Sequence, residues 1–159
     1  MDVTIREARK NDLQAVLELY KQLHPEDLPP PADNELKRIW SRISSSHIVR
    51  CFVVEHDRTI VATGTLAVIP NLTRGGRPYG LIENMVTDKN FHRRGIGKEL
   101  LRHILREAER RDCYKVMVLT DVHRPGVVEF YKAVGFETGV KNGLVWWVHR
   151  GKRAEASIE

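Results

Sequence analysis

A chain of 159 residues, 42% hydrophobic and 30% charged, has the size of one domain with one continuous core. Its two cysteines, Cys51 and Cys113, are too few and too isolated for a disulfide framework or a paired-ligand zinc site, and they suit a reducing cytoplasm. No apolar run reaches the roughly 18 residues of a membrane span, the first residues lack the apolar core of an export signal, and the net charge of +5 forms no basic stripe interleaved with aromatics. The expectation is therefore a soluble cytoplasmic protein that takes no nucleic acid, membrane or metal.

Residues 3–6 alternate like a short strand, and Asp12 then precedes Leu13, Val16, Leu17, Leu19, Tyr20 and Leu23, spaced for one face of a helix. Pro29, Pro30 and Pro31 lack N–H donors and force a loop. A second helix is expected over 34–42, then a hairpin of strands 49–55 and 59–68 around His56, Asp57 and Arg58. Residues 70–78 carry the turn formers of a surface loop: the rim of a pocket or an ordinary connection.

Next come a strand over 81–87, a glycine-containing loop, and a helix with Ile96, Leu100, Leu101, Ile104, Leu105 and Ala108 on one face. The run Val116-Met117-Val118-Leu119 reads as a strand buried on both faces, which makes a β-α-β unit. A further helix is expected over 126–134, a strand from Phe136, and a closing hairpin through Lys141-Asn142-Gly143 into Leu144-Val145-Trp146-Trp147-Val148. One domain over 1–150 and a polar, disordered tail over 151–159 complete the chain.

The stretch His92-Arg93-Arg94-Gly95-Ile96-Gly97-Lys98 carries the most chemistry. Glycines spaced by two let a ligand approach the backbone, and the free N–H groups of the first helical turn point outward along the positive end of the helix dipole. Arg93, Arg94 and Lys98 add charge, so the loop suits a pyrophosphate; its plainer reading is a tight strand-to-helix turn. It matches neither GxGxxG nor GxxxxGK[ST].

The loop resembles the Arg/Gln-x-x-Gly-x-Gly/Ala hallmark of the GNAT superfamily of acetyl-CoA-dependent N-acetyltransferases, with Gly95 and Gly97 matching and His92 departing from the first position. Phe130-Tyr131-Lys132-Ala133-Val134-Gly135-Phe136 is similar to the family's Phe-Tyr-x-x-x-Gly-Phe. This likeness implies a single-domain α/β (α+β) fold, with a mixed sheet of about six or seven strands and about four helices. It implies acetyl-CoA held by His92, Arg93, Arg94, Gly95, Ile96, Gly97 and Lys98, with main-chain groups of Met85, Val86 and Thr87 holding the acetyl carbonyl and pantetheine. Direct transfer, without an acyl-enzyme, follows from the same likeness.

Acetyl transfer needs a neutral amine, a stabilised oxyanion and a proton for the leaving thiolate. Glu83, a carboxylate inside a strand, is the candidate base, its pKa raised by burial; the alternative is a carboxylate paired with a nearby arginine. Tyr131 matches the family tyrosine near the thioester sulfur and is the candidate acid; otherwise it is a packed aromatic. His123 and Arg124 stand where relatives carry an asparagine that touches the cofactor, so Arg124 is either a phosphate contact or a solvated turn residue. Asp121 is a strand-end cap or an acceptor ligand.

The stretch 83–87, with Cys113-Tyr114-Lys115-Val116, resembles the glucosamine 6-phosphate N-acetyltransferase branch, except that Asn84 replaces an aspartate. A small-molecule primary amine such as an amino-sugar phosphate is thus expected. Other amines (a polyamine, an amino acid, an aminoglycoside, a peptide N-terminus) and a silent acyl-CoA-binding module are the alternatives. Cys51 and Cys113 lack a histidine partner, and His103 and His149 lack metal-ligand spacing. Trp146 and Trp147, adjacent on the expected last strand, point to opposite faces; a homodimer interface would cover the outer one, or else it flanks the acceptor cleft or lies under the tail.

Overall fold

The structure is a computed structural model that describes residues 2–148. Among these residues the sheet has five strands, β1 (Thr4–Glu7), β2 (Val49–His56), β3 (Thr59–Ile69), β4 (Tyr79–Thr87) and β5 (Val116–Val118), in the order β1-β2-β3-β4-β5. The first three pairings are antiparallel and β4–β5 is parallel. A parallel pair needs a crossover, and helix α3 (Ile96–Arg110) supplies it.

Alternation along β2 divides the molecule into two layers. Phe52 and Val54 point to the face where α3 packs Leu100, Leu101 and Ile104, together with Tyr131 of α4 (Val127–Lys132). Cys51 and Val53 point the other way, against Val16 of α1 (Leu13–Leu23) and Trp40 of α2 (Asp33–Ser44). The four helices thus cover both faces, as an α+β fold requires.

Polar anchors fix how these layers meet. The Asp12 carboxylate accepts from Arg6 at 2.7 and 3.0 Å and from the Arg9 backbone N–H at 2.6 Å, tying β1 to the start of α1. Arg6's hydrogen bond outweighs burial and holds the Asp12 carboxyl below its usual range. Glu107 is buried among the apolar positions of α3; burial alone would raise its pKa, but Arg111 at 2.8 Å, with Arg110 and Arg50, brings it down.

The strand count is lower than the six or seven expected, because residues 136–148 form no strand and the closing hairpin is not made. β5 offers only three ladder positions, too few backbone hydrogen bonds to offset the entropy of ordering thirteen more residues. Trp146 is 91% exposed and Trp147 62%. For the same reason β5 is an edge strand of partly buried residues, rather than one buried on both faces, and Leu119 lies beyond it half-exposed. The expected tail 151–159 and His149 lie outside the described residues. Among the described residues no helix is long and apolar enough to cross a membrane.

Candidate active site

The site begins where β4 and β5 part. β5 pairs only with Gly80, Leu81 and Ile82, so residues 83–87 continue with a free edge on that side. On the other side the register runs Thr65 to Glu83 and Thr63 to Val86, leaving Asn84 and Met85 opposite Gly64: a β-bulge. Asn84 takes the left-handed conformation (φ 55°) that asparagine tolerates better than most residues. Gly64 makes the bulge possible, since a Cβ there would lie 2.2 Å from Met85 Sδ and 3.0 Å from Ile104 Cδ1.

Beyond the bulge the ladder resumes, and the Asp88 N–H donates to the Val61 carbonyl at 2.8 Å. Hydrogen bonding alternates along an antiparallel pair, so Val86 directs its N–H and C=O toward β3 while Thr87 directs both away from it, to the free edge. Of the expected main-chain donors, Thr87 is therefore presented and Val86 is engaged in the sheet.

The loop between β4 and α3 is held by side-chain hydrogen bonds to its backbone and to α1. Asp88 accepts from the Asn90 N–H at 2.8 Å, and Gln22 of α1 bridges the Asp88 carboxylate (2.9 Å) and the Lys89 N–H (3.0 Å). Gly95, at φ 81°, opens α3, whose first-turn N–H groups have no side-chain cap. Gly97 brings that turn against its neighbours: a Cβ would lie 3.2 Å from Thr87 Oγ1 and 3.4 Å from Phe130.

These elements enclose a cleft of about 610 Å³. Nine of the ten residues expected to hold the cofactor line it, Met85, Val86, Thr87, His92, Arg93, Gly95, Ile96, Gly97 and Lys98, and Tyr131 lines its far wall. Arg94 does not; its guanidinium lies over the Phe91 ring, 5.2 Å from the centroid. Phe91, Val127 and Phe130 line the cleft unanticipated, although Phe130 was legible as Tyr131's neighbour in the motif.

Tyr131 is buried, with Phe130 and Phe136 edge-on at 5.1 and 5.3 Å. Burial, reinforced by the charge of nearby Glu83, pushes its pKa up to about 12, so the phenol keeps its proton at neutral pH. Glu83 itself is exposed. The burial expected to make it a stronger base is absent because β5 stops at Ile82 and leaves this carboxylate to water, which also meets its need for partners.

The Arg124 guanidinium donates to the carbonyl of Leu23 at the end of α1, where the helix leaves acceptors unpaired, so this side chain is tied to the fold and is not a purely solvated turn residue. Asp121 caps its own turn, accepting from the His123 N–H at 2.9 Å. On the sheet's other face Tyr20 meets Cys51, Thr65 and Asn84 behind the bulge, and burial raises its pKa to about 12. Burial likewise pushes up the thiols of Cys51 and Cys113. Among the described residues no three His, Cys, Asp or Glu side chains cluster to hold a metal.

Comparison with known proteins agrees with this geometry. Residues 13–136 match the acetyltransferase (GNAT) family model. The glucosamine 6-phosphate N-acetyltransferase of Trypanosoma brucei brucei is 30% identical over 137 residues, 86% of this chain and 90% of that protein. A putative acetyltransferase from Agrobacterium tumefaciens superposes with a TM-score of 0.84 at 37% identity, covering 91% of this chain and 99% of that one. A Trypanosoma brucei acetyltransferase does so with a TM-score of 0.78 at 28% identity, over 92% of this chain and 100% of that one.

Proposed function

Because the chain belongs to the acetyltransferase (GNAT) family and is an N-acetyltransferase, we propose that it moves an acetyl group directly from acetyl-CoA to the primary amine of a small molecule, an amino-sugar phosphate. The observation that carries the cofactor reading is the convergence on one cleft of Thr87, the uncapped first turn of α3 and Tyr131. The residues fit such a ligand: Gly97 keeps open the space between Thr87 and Phe130 that a side chain would fill, and Arg93 and Lys98 line the same wall as the free N–H groups. The acceptor reading is supported by the similarity to the glucosamine 6-phosphate N-acetyltransferase of Trypanosoma brucei brucei and by the likeness of residues 83–87 to that branch.

Acetyl-CoA supplies the activated acetyl group as a thioester. The Thr87 N–H and the helix N-terminus orient it and meet its negative charge. Tyr131 gives its proton to the sulfur as the carbon–sulfur bond breaks, and Glu83, exposed at the bulge, takes a proton from the attacking amine through water. Saturating acetyl-CoA should raise the melting temperature, since a ligand at 100 times its Kd adds about 2.7 kcal/mol to stability. In the same preparation CoA release should be fastest with glucosamine 6-phosphate. An unchanged melting temperature overturns the cofactor reading; faster release with a polyamine, amino acid, aminoglycoside or peptide moves the acceptor.

The free thiols Cys51 and Cys113 support a reducing compartment, the cytoplasm. We also propose a homodimer. Residues 144–148 are five successive exposed apolar side chains, and β5 is a sheet edge, so a second copy offers cover for both. A mass in solution twice that of one chain is expected; the mass of a single chain rejects the dimer.

A further inference from the structure

Thr87 ends β4 with its carbonyl, as well as its N–H, turned to the free edge of the strand. A bare carbonyl oxygen beside the N–H that receives the thioester oxygen sets lone pairs against lone pairs at that end of the ligand. His92 removes that conflict: its Nε2 lies 2.8 Å from the Thr87 oxygen, five residues back across the turn. A carbonyl only accepts, so Nε2 carries the hydrogen of this bond. That hydrogen is then engaged by Thr87 and is not offered to a phosphate. The charge facing the cleft comes instead from Arg93 and Lys98, while Arg94 is stacked on Phe91.

We propose that His92 is a positioning residue, which caps the Thr87 carbonyl and locks the end of β4 to the loop so that Thr87 offers the ligand only its N–H. This rests on the acetyl-CoA reading above, and it gives a role to the position where the chain departs from its family's arginine or glutamine. A glutamine amide can make the same bond to a carbonyl; an alanine cannot. Because the ring is exposed, removing it leaves the core intact.

The test measures the binding of acetyl-CoA and of S-acetylpantetheine, which keeps the thioester arm and lacks the pyrophosphate, to the unaltered chain, His92→Ala and His92→Gln. His92→Ala should weaken both ligands by the same factor, about fivefold for one lost hydrogen bond, raising KM with kcat nearly unchanged. His92→Gln should restore both. Weakening of acetyl-CoA alone would show that the ring acts on the pyrophosphate and overturn the proposal, as would binding unchanged in His92→Ala. If the unaltered chain binds neither ligand, the cofactor reading fails first and the proposal with it, an outcome distinct from the other two.

Discussion

Replacing Tyr131 with Phe is expected to lower turnover by about 10²- to 10⁴-fold, the usual worth of a positioned general acid, while acetyl-CoA affinity stays close to that of the unaltered chain. The two should separate because the ring and the hydroxyl do different work. The ring packs between Phe130 and Phe136, and phenylalanine keeps that packing. Tyr131 lines the cleft and its hydroxyl has a pKa raised to about 12, so it remains a donor well above neutral pH, where an ordinary phenol near 10 would begin to lose its proton. Turnover of the unaltered enzyme should accordingly show no loss assignable to this group between pH 8 and roughly 10. Single-turnover rates with acetyl-CoA and the amine measure this directly; a Tyr131→Phe enzyme that turns over normally removes the tyrosine from the chemistry.

Gly97→Val is expected to weaken acetyl-CoA binding by about 5- to 150-fold while leaving the free protein folded, the magnitude of a 1–3 kcal/mol overpacking cost. Gly97 lies in the first turn of α3, where the backbone is helical and a side chain is locally acceptable; replacing a helical glycine even favours the helix. The space is the obstacle. Its Cβ would begin 3.2 Å from Thr87 Oγ1 and 3.4 Å from Phe130, and the branches of valine would extend into the cleft between them. Titration calorimetry paired with the melting temperature of the free protein separates the two effects. A variant that binds acetyl-CoA normally places the ligand elsewhere.

Much of the fold could be read from one dimension because its causes are local. The apolar spacing of α1 and α3 forecasts their buried faces, and Val16, Leu19, Ile96, Leu100, Leu101, Ile104 and Ala108 are among the residues those helices bury. The same pattern misled at the C-terminus. Residues 144–148 have the composition of a strand, but a strand needs a partner edge, and within one chain β5 provides only three positions. The β-bulge left no pattern at all, since Gly64 and Asn84 become meaningful only once β3 and β4 are in register.

The sequence by itself determined the family and the glycine loop that opens α3: Gly95 and Gly97 before an amphipathic helix, and Tyr131 in its motif, are short-range features whose backbone consequences do not depend on distant residues. Only the tertiary structure decided how the side chains around them are used. Glu83 is left to solvent where β5 ends, Arg94 is taken by Phe91, Arg124 by the end of α1, and His92 by the Thr87 carbonyl. A side chain's role follows from whichever partner the fold brings within hydrogen-bonding or stacking distance, and chain spacing does not encode that distance.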